Sequence, residues 1–143
     1  MLRSGRLLLA AVIFACASPF ALAQTVAEVN QRLDELFGVH EPYRAFFAQL
    51  QKAVAADDRQ AVAAMVEYPI EATIGGRNVK IRDAKHFVTN YGKVITPKVK
   101  DAVIRQRYED LFANWQGVMI GDGEVWFSGI DGKNTVKIIT INN

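Results

Sequence analysis

Between Glu41 and Ala56 the apolar residues return every three or four positions. At about 100° per residue, Tyr43, Phe46, Phe47, Leu50, Ala53 and Val54 share one arc, while Arg44, Gln51 and Lys52 fall outside it. Pro42 suits the first turn of such a helix. A stripe with this many large apolar side chains is stable only when a sheet or groove covers it, so the rest of the chain must supply the cover.

The period switches further on. Ile70, Ala72 and Ile74 alternate with Glu71 and Thr73, Gly75-Gly76-Arg77-Asn78 reads as a turn, and Val79-Lys80-Ile81 alternates again, which predicts a β-hairpin. Val118–Ile120, Glu124–Ser128 and Thr135–Ile141 read as strands separated by Gly121-Asp122-Gly123 and Asp131-Gly132 turns. The last strand is apolar on both faces and is expected to be central in its sheet.

Helical segments complete the pattern. Thr25 to Phe37 has a capping box in Thr25 and Glu28, with Gly38 as its stop. Asp57 or Asp58 caps a short helix carrying Val62, Met65 and Val66, which Pro69 ends. Asp83 caps a helix from Ala84 to about Val94. Lys98 to Tyr108 reads as helix at its start, with strand as the alternative. Helices first and strands afterwards, each with an apolar face, predict an α+β two-layer domain.

The first 23 residues read as a cleavable signal peptide. Arg3 and Arg6 form the positive region, Leu7 to Ala17 the apolar run, and Ala21-Leu22-Ala23 the small-residue cleavage site. Lipidation at Cys16 is the alternative, with Phe14 standing where a small residue is expected. No later segment approaches transmembrane length. The expected organisation is a signal peptide over 1–23, a helical extension over 24–40 and one domain over 41–143, periplasmic or secreted.

Cutting after Ala23 changes the chemistry that remains. The whole chain has 17 basic and 15 acidic side chains, and two of the basic ones lie in the leader. A net-neutral product argues against nucleic-acid binding. Cys16 is the only cysteine, so the exported part holds no disulfide, thiolate nucleophile or cysteine-ligated metal. Ser128, the only serine after the leader, lies in Phe127-Ser128-Gly129 and not in a nucleophile elbow. His40 and His86 are far apart with no ligand spacing. The Asp122-Gly123-Glu124 and Asp131-Gly132-Lys133-Asn134 segments lack the repeated acids of a calcium loop. No metal and no cofactor is expected. Lys98, Lys100, Arg105 and Arg107 border an apolar seam and are balanced by Asp101, Glu109 and Asp110.

The aromatic helix with Tyr43, Phe46, Phe47 and Leu50, a short helix closed by Glu67-Tyr68-Pro69, a hairpin, another helix and a C-terminal run of strands resemble the NTF2-like superfamily. The segment Gly117-Val118-Met119-Ile120-Gly121-Asp122-Gly123-Glu124-Val125-Trp126-Phe127 is similar to one in small exported bacterial members. The resemblance covers Pro42 to Asn143. It implies an NTF2-like/cystatin-like cone, a curved and mostly antiparallel sheet wrapped around N-terminal helices, with an apolar pocket and pairing into a homodimer through the sheet. The catalytic Tyr and Asp of the superfamily's isomerases, and the His and Asp of its dehydratases, have no matching positions here, so the fold does not carry an activity.

Such a pocket requires polar groups pointing into an apolar cavity. The candidates are Tyr68, Glu71, Arg82, Tyr91 and Trp126. Glu71 facing a pocket would serve as a general base, although the alternation also fits it on the solvent side of Ile70-Glu71-Ala72. Three readings follow. The first is a non-enzymatic exported domain binding a small apolar ligand or a protein. The second is an isomerase- or dehydratase-like enzyme in which Tyr68 or Tyr91 polarises the substrate of Glu71. The third is an inhibitor or immunity-type protein acting through residues 75–78 or 129–134.

Overall fold

The computed structural model describes residues 24–132 and 135–143. Residues 1–23, where the signal peptide and Cys16 are expected, and the pair Lys133-Asn134 lie outside the described residues.

The chain begins with α1 (Val26–Phe37) and α2 (Glu41–Ala55). Thr25 caps α1 through the expected box: its Oγ1 accepts from the Glu28 N–H at 3.2 Å, and the Glu28 carboxylate accepts from the Thr25 N–H at 2.6 Å. Val29 and Leu33 are buried, so α1 shares the core of the main domain. All six residues of the α2 stripe are buried. They meet the sheet directly, with the Phe46 and Phe127 rings 5.1 Å apart. Each such side chain contributes about 1.5–3 kcal/mol on leaving water.

Asp58 caps α3 (Arg59–Ala64), and the hairpin β1 (Ile70–Ile74) and β2 (Arg77–Ile81) follows. Its turn is two residues rather than the four expected. Gly75 and Gly76 take φ of 59° and 74°, the positive values that a tight hairpin turn needs, so Arg77 and Asn78 already pair with Ile74 and Thr73.

The single helix expected over Ala84–Val94 is two, α4 (Ala84–Thr89) and α5 (Tyr91–Val94). Asn90 makes the break. Its side chain donates to the His86 carbonyl at 3.0 Å, competing with the helical ladder. The segment after Thr96 adopts the helical alternative, α6 (Pro97–Arg105), then a 3-10 turn over Tyr108–Asp110.

An antiparallel sheet runs in the order β3 (Phe112–Asn114), β4 (Gly117–Ile120), β5 (Val125–Gly129), β6 (Val136–Ile141). The expectation that the last strand is central is corrected: β6 ends this ladder. Its outer edge is nevertheless not a solvent edge. The Ile138 N–H donates to the Met65 carbonyl at 2.8 Å, and the Ile138 carbonyl accepts from the Glu67 N–H at 2.9 Å. β1 then runs alongside β6 without pairing, so the molecule is α+β with antiparallel sheets. No helix among the described residues is long and apolar enough to cross a membrane.

Candidate functional site

The five candidate residues do not converge. Glu71 and Thr73 are exposed on β1, whereas Ile70 and Ala72 face the core. Arg82 is exposed just beyond β2, where its backbone N–H donates to His86 Nδ1 at 3.3 Å. Trp126 is half-buried on β5, edge-on to Phe112 at 6.4 Å. Only Tyr68 and Tyr91 share surroundings: both rings meet Phe87 edge-on, at 6.3 and 6.0 Å.

The two phenols differ. Tyr68 donates to the Ala63 carbonyl at 2.6 Å, and burial, reinforced by the Asp83 charge, pushes it up to about 12. Tyr91 is 2 % exposed, with the Arg59 guanidinium 5.3 Å from its ring centre and no hydrogen-bond partner for its hydroxyl among the described residues. Burial also raises Tyr91, with Asp57 and Asp58 adding and Arg59 opposing. General acid–base work needs donor and base within hydrogen-bonding reach of one substrate. Glu71, on the solvent face of β1, and these core phenols lack that arrangement.

Glu71 does line a groove. Between Glu67 and Thr73 the chain passes the cis Tyr68–Pro69 peptide and swings away from β6, then returns. The opening between β1 and β6 is about 420 Å³, bordered by Glu71, Thr73, Asn78, Thr140 and Asn142, with Glu71 its one ionisable lining residue.

Among the described residues, the most exposed large aromatic side chain lies elsewhere. Trp115, at 81 % exposure, occupies the two-residue turn between β3 and β4. The turn is fixed from both sides. Asn114 Oδ1 accepts from the Gln116 N–H at 2.8 Å, and Gly117 lies so close to β5 that a Cβ there would stand 2.7 Å from the Phe127 carbonyl oxygen. Beside the indole is a surface groove of about 250 Å³ walled by Phe37, Tyr43, Trp115, Ser128, Gly129 and Gly132. Phe37 and Tyr43 stack with centroids 4.6 Å apart, and the Tyr43 hydroxyl accepts from the Gly129 N–H at 3.1 Å. Periodicity gives no weight to a tryptophan between strands. The available signal was its occurrence in Asn114-Trp115-Gln116-Gly117, where turn chemistry favours small or polar residues.

Two charged groups lie near element junctions. Glu124 is the buried charged residue of the core. Its carboxylate accepts from the Asp122 N–H at 2.7 Å and lies 3.4 Å from Lys98 Nζ. Burial alone would raise it, but the backbone N–H groups and Lys98 together hold it below the usual carboxylate value. At the α1–α2 junction His40 Nδ1 lies 2.8 Å from Asp34, and Nε2 lies 3.5 Å from Glu41. These three donors lie close enough to meet one metal ion, but the two carboxylates lie nearest opposite ring nitrogens of His40.

Comparison with models of protein families, with characterised proteins and with solved structures finds no match to this chain.

Proposed function

We propose that this chain is an exported, non-catalytic recognition module of NTF2-like architecture, and that it binds through its surface at the Trp115 turn. The observation that carries the reading is the 81 % exposure of Trp115 on a turn held rigid by Asn114 and Gly117. Exposing an indole forgoes about 1.5–3 kcal/mol of burial, and rigid aromatic side chains are the residues binding sites use most. The strand neighbourhood β2-β1, then β6-β5-β4-β3, around the α2 stripe supports the cone. The large side chains of α2 occupy its interior, which favours contact outside over an apolar ligand inside. The separation of Glu71 from Tyr68 and Tyr91 weighs against the isomerase-like reading. The Trp115 groove reaches Gly129 and Gly132, within the segment through which an inhibitor-type protein would act.

A photo-crosslinking residue placed at 115 in the exported protein tests this, with position 71 as control. Adducts formed in the cell envelope at 115 and not at 71 are expected. Equal labelling at the two positions, or none at 115, would remove the reading.

A second reading has its own observation. Phe112, Met119 and Trp126 stand in register across β3, β4 and β5 and form a partly exposed apolar row on one sheet face. That row suits the homodimer implied by the superfamily resemblance. A concentration-dependent dimer that Met119→Lys converts to monomer is the expected result, and a monomer at all concentrations excludes it.

A further inference from the structure

We infer that the groove beside Trp115 is a subsite for one neutral pyranose ring of a glycan, an inference that rests on the recognition-module reading. The lining chooses the chemistry. Phe37, Tyr43 and Trp115 are aromatic, Ser128 and Tyr43 bring hydroxyls, and Gly129 and Gly132 bring accessible backbone. None of these residues is charged at neutral pH, so the described lining offers no counter-ion for a phosphate, carboxylate or ammonium group.

Size narrows the choice. Pockets that enclose whole drug-sized ligands begin at about 300 Å³, so a groove of about 250 Å³ holds a single ring with its substituents. A sugar ring has a face of C–H groups, polarised positively, and an equator of hydroxyls. The C–H face complements the negative face of an indole, and the hydroxyls need donors and acceptors around it. The Ser128 hydroxyl has no hydrogen-bond partner among the described residues and is half-buried. The Tyr43 hydroxyl accepts from Gly129 and retains its own proton to donate.

The site is also preorganised. Phe37 stacks on Tyr43, Gly129 pins the Tyr43 hydroxyl, and the Asn114 side chain closes the turn that presents Trp115. Phe37 and Tyr43 therefore lose little side-chain freedom on binding, which lowers the entropic cost of a single-ring contact.

The experiment is a titration of the exported protein with chito-, cello- and malto-oligosaccharides and with peptidoglycan glycan strands freed of their peptides, followed through the two indole N–H resonances. A saturable shift of the Trp115 resonance with at least one saccharide is expected, while Trp126 stays in place. Trp115→Ala is expected to weaken that saccharide at least tenfold and Ser128→Ala severalfold, with unchanged thermal unfolding. No shift at Trp115 with any of the saccharides overturns the inference. If position 115 nevertheless crosslinks to a protein, the inference fails and the recognition reading survives; if it crosslinks to nothing, both fail.

Discussion

The side-chain amide of Asn143 takes the place of a strand neighbour for Thr73: its Oδ1 accepts from the Thr73 N–H at 3.0 Å, and its Nδ2 donates to the Thr73 carbonyl at 2.7 Å. The same Nδ2 reaches the Lys93 carbonyl at 2.6 Å. One side chain thus ties β1, the end of α5 and the chain after β6 together at one end of the open seam. The Met65–Glu67 backbone bonds to Ile138 close the other end.

Asn143→Ala is therefore expected to free the hairpin rather than unfold the molecule. Each hydrogen bond contributes about 0.5–1.5 kcal/mol net, so losing the three is expected to cost about 1.5–4.5 kcal/mol in urea unfolding. Amide exchange at Thr73 should accelerate while Ile138 stays protected. Unchanged protection at Thr73 would show that Asn143 does not hold the seam.

The same substitution at two tyrosines should have opposite signs. Tyr68→Phe removes a hydroxyl that donates to the Ala63 carbonyl and is expected to cost about 1 kcal/mol. Tyr91→Phe removes a buried hydroxyl with no partner among the described residues, whose desolvation costs about 1–3 kcal/mol, so this variant should be more stable than the parent. Paired chemical denaturation decides it, and a destabilised Tyr91→Phe would reveal a partner for that hydroxyl.

The features legible in the sequence are local ones. Thr25 and Glu28 lie three residues apart and find each other in the capping box; the α2 stripe is a period; Asp58 and Asp83 cap the helices that start beside them. Expectations that depended on distant partners fared differently. The apolar residues of β6 were compatible with a central strand, and only the fold shows Met65 and Glu67 against its edge. The groove beside Trp115 draws Phe37 and Tyr43 from the helices and Ser128 and Gly129 from β5, a juxtaposition no spacing encodes. The alternation of Ile70-Glu71-Ala72 is compatible with Glu71 on the solvent side, where it lies, but alternation says nothing about where Tyr68 and Tyr91 lie.

Glu124 should make stability depend on acid. Its folded value is depressed below 4.5, so its contribution is fully present above that pH and is lost as pH falls through the folded value. Glu124→Gln loses the charge that Lys98 and the Asp122 N–H meet, at a cost of about 1–3 kcal/mol near neutrality. The difference between parent and variant should shrink on acidification below 4.5. A difference constant from neutral pH to acid would mean that the ionised carboxylate is not what holds the β4–β5 turn to α6.

Two glycine substitutions separate rigidity at the Trp115 turn from general tolerance. A Cβ at Gly117 would stand 2.7 Å from the Phe127 carbonyl oxygen and 3.2 Å from Ser128 Cβ, on a backbone with φ of 147°. The obstructing oxygen belongs to the paired strand, so relief requires moving β4 away from β5 rather than turning a side chain. Gly117→Ala should cost about 2–4 kcal/mol, combining backbone strain with overpacking. Gly92 lies in α5 with nothing within 4 Å of the position a Cβ would take, so Gly92→Ala should stabilise by up to about 1 kcal/mol through helix propensity. Thermal unfolding ranks the two. Trp115 itself supplies the functional readout, because loosening its turn should lower the fluorescence anisotropy of the indole in Gly117→Ala and leave it unchanged in Gly92→Ala. An unchanged anisotropy in a destabilised Gly117→Ala protein would show that Asn114 alone is enough to hold the platform.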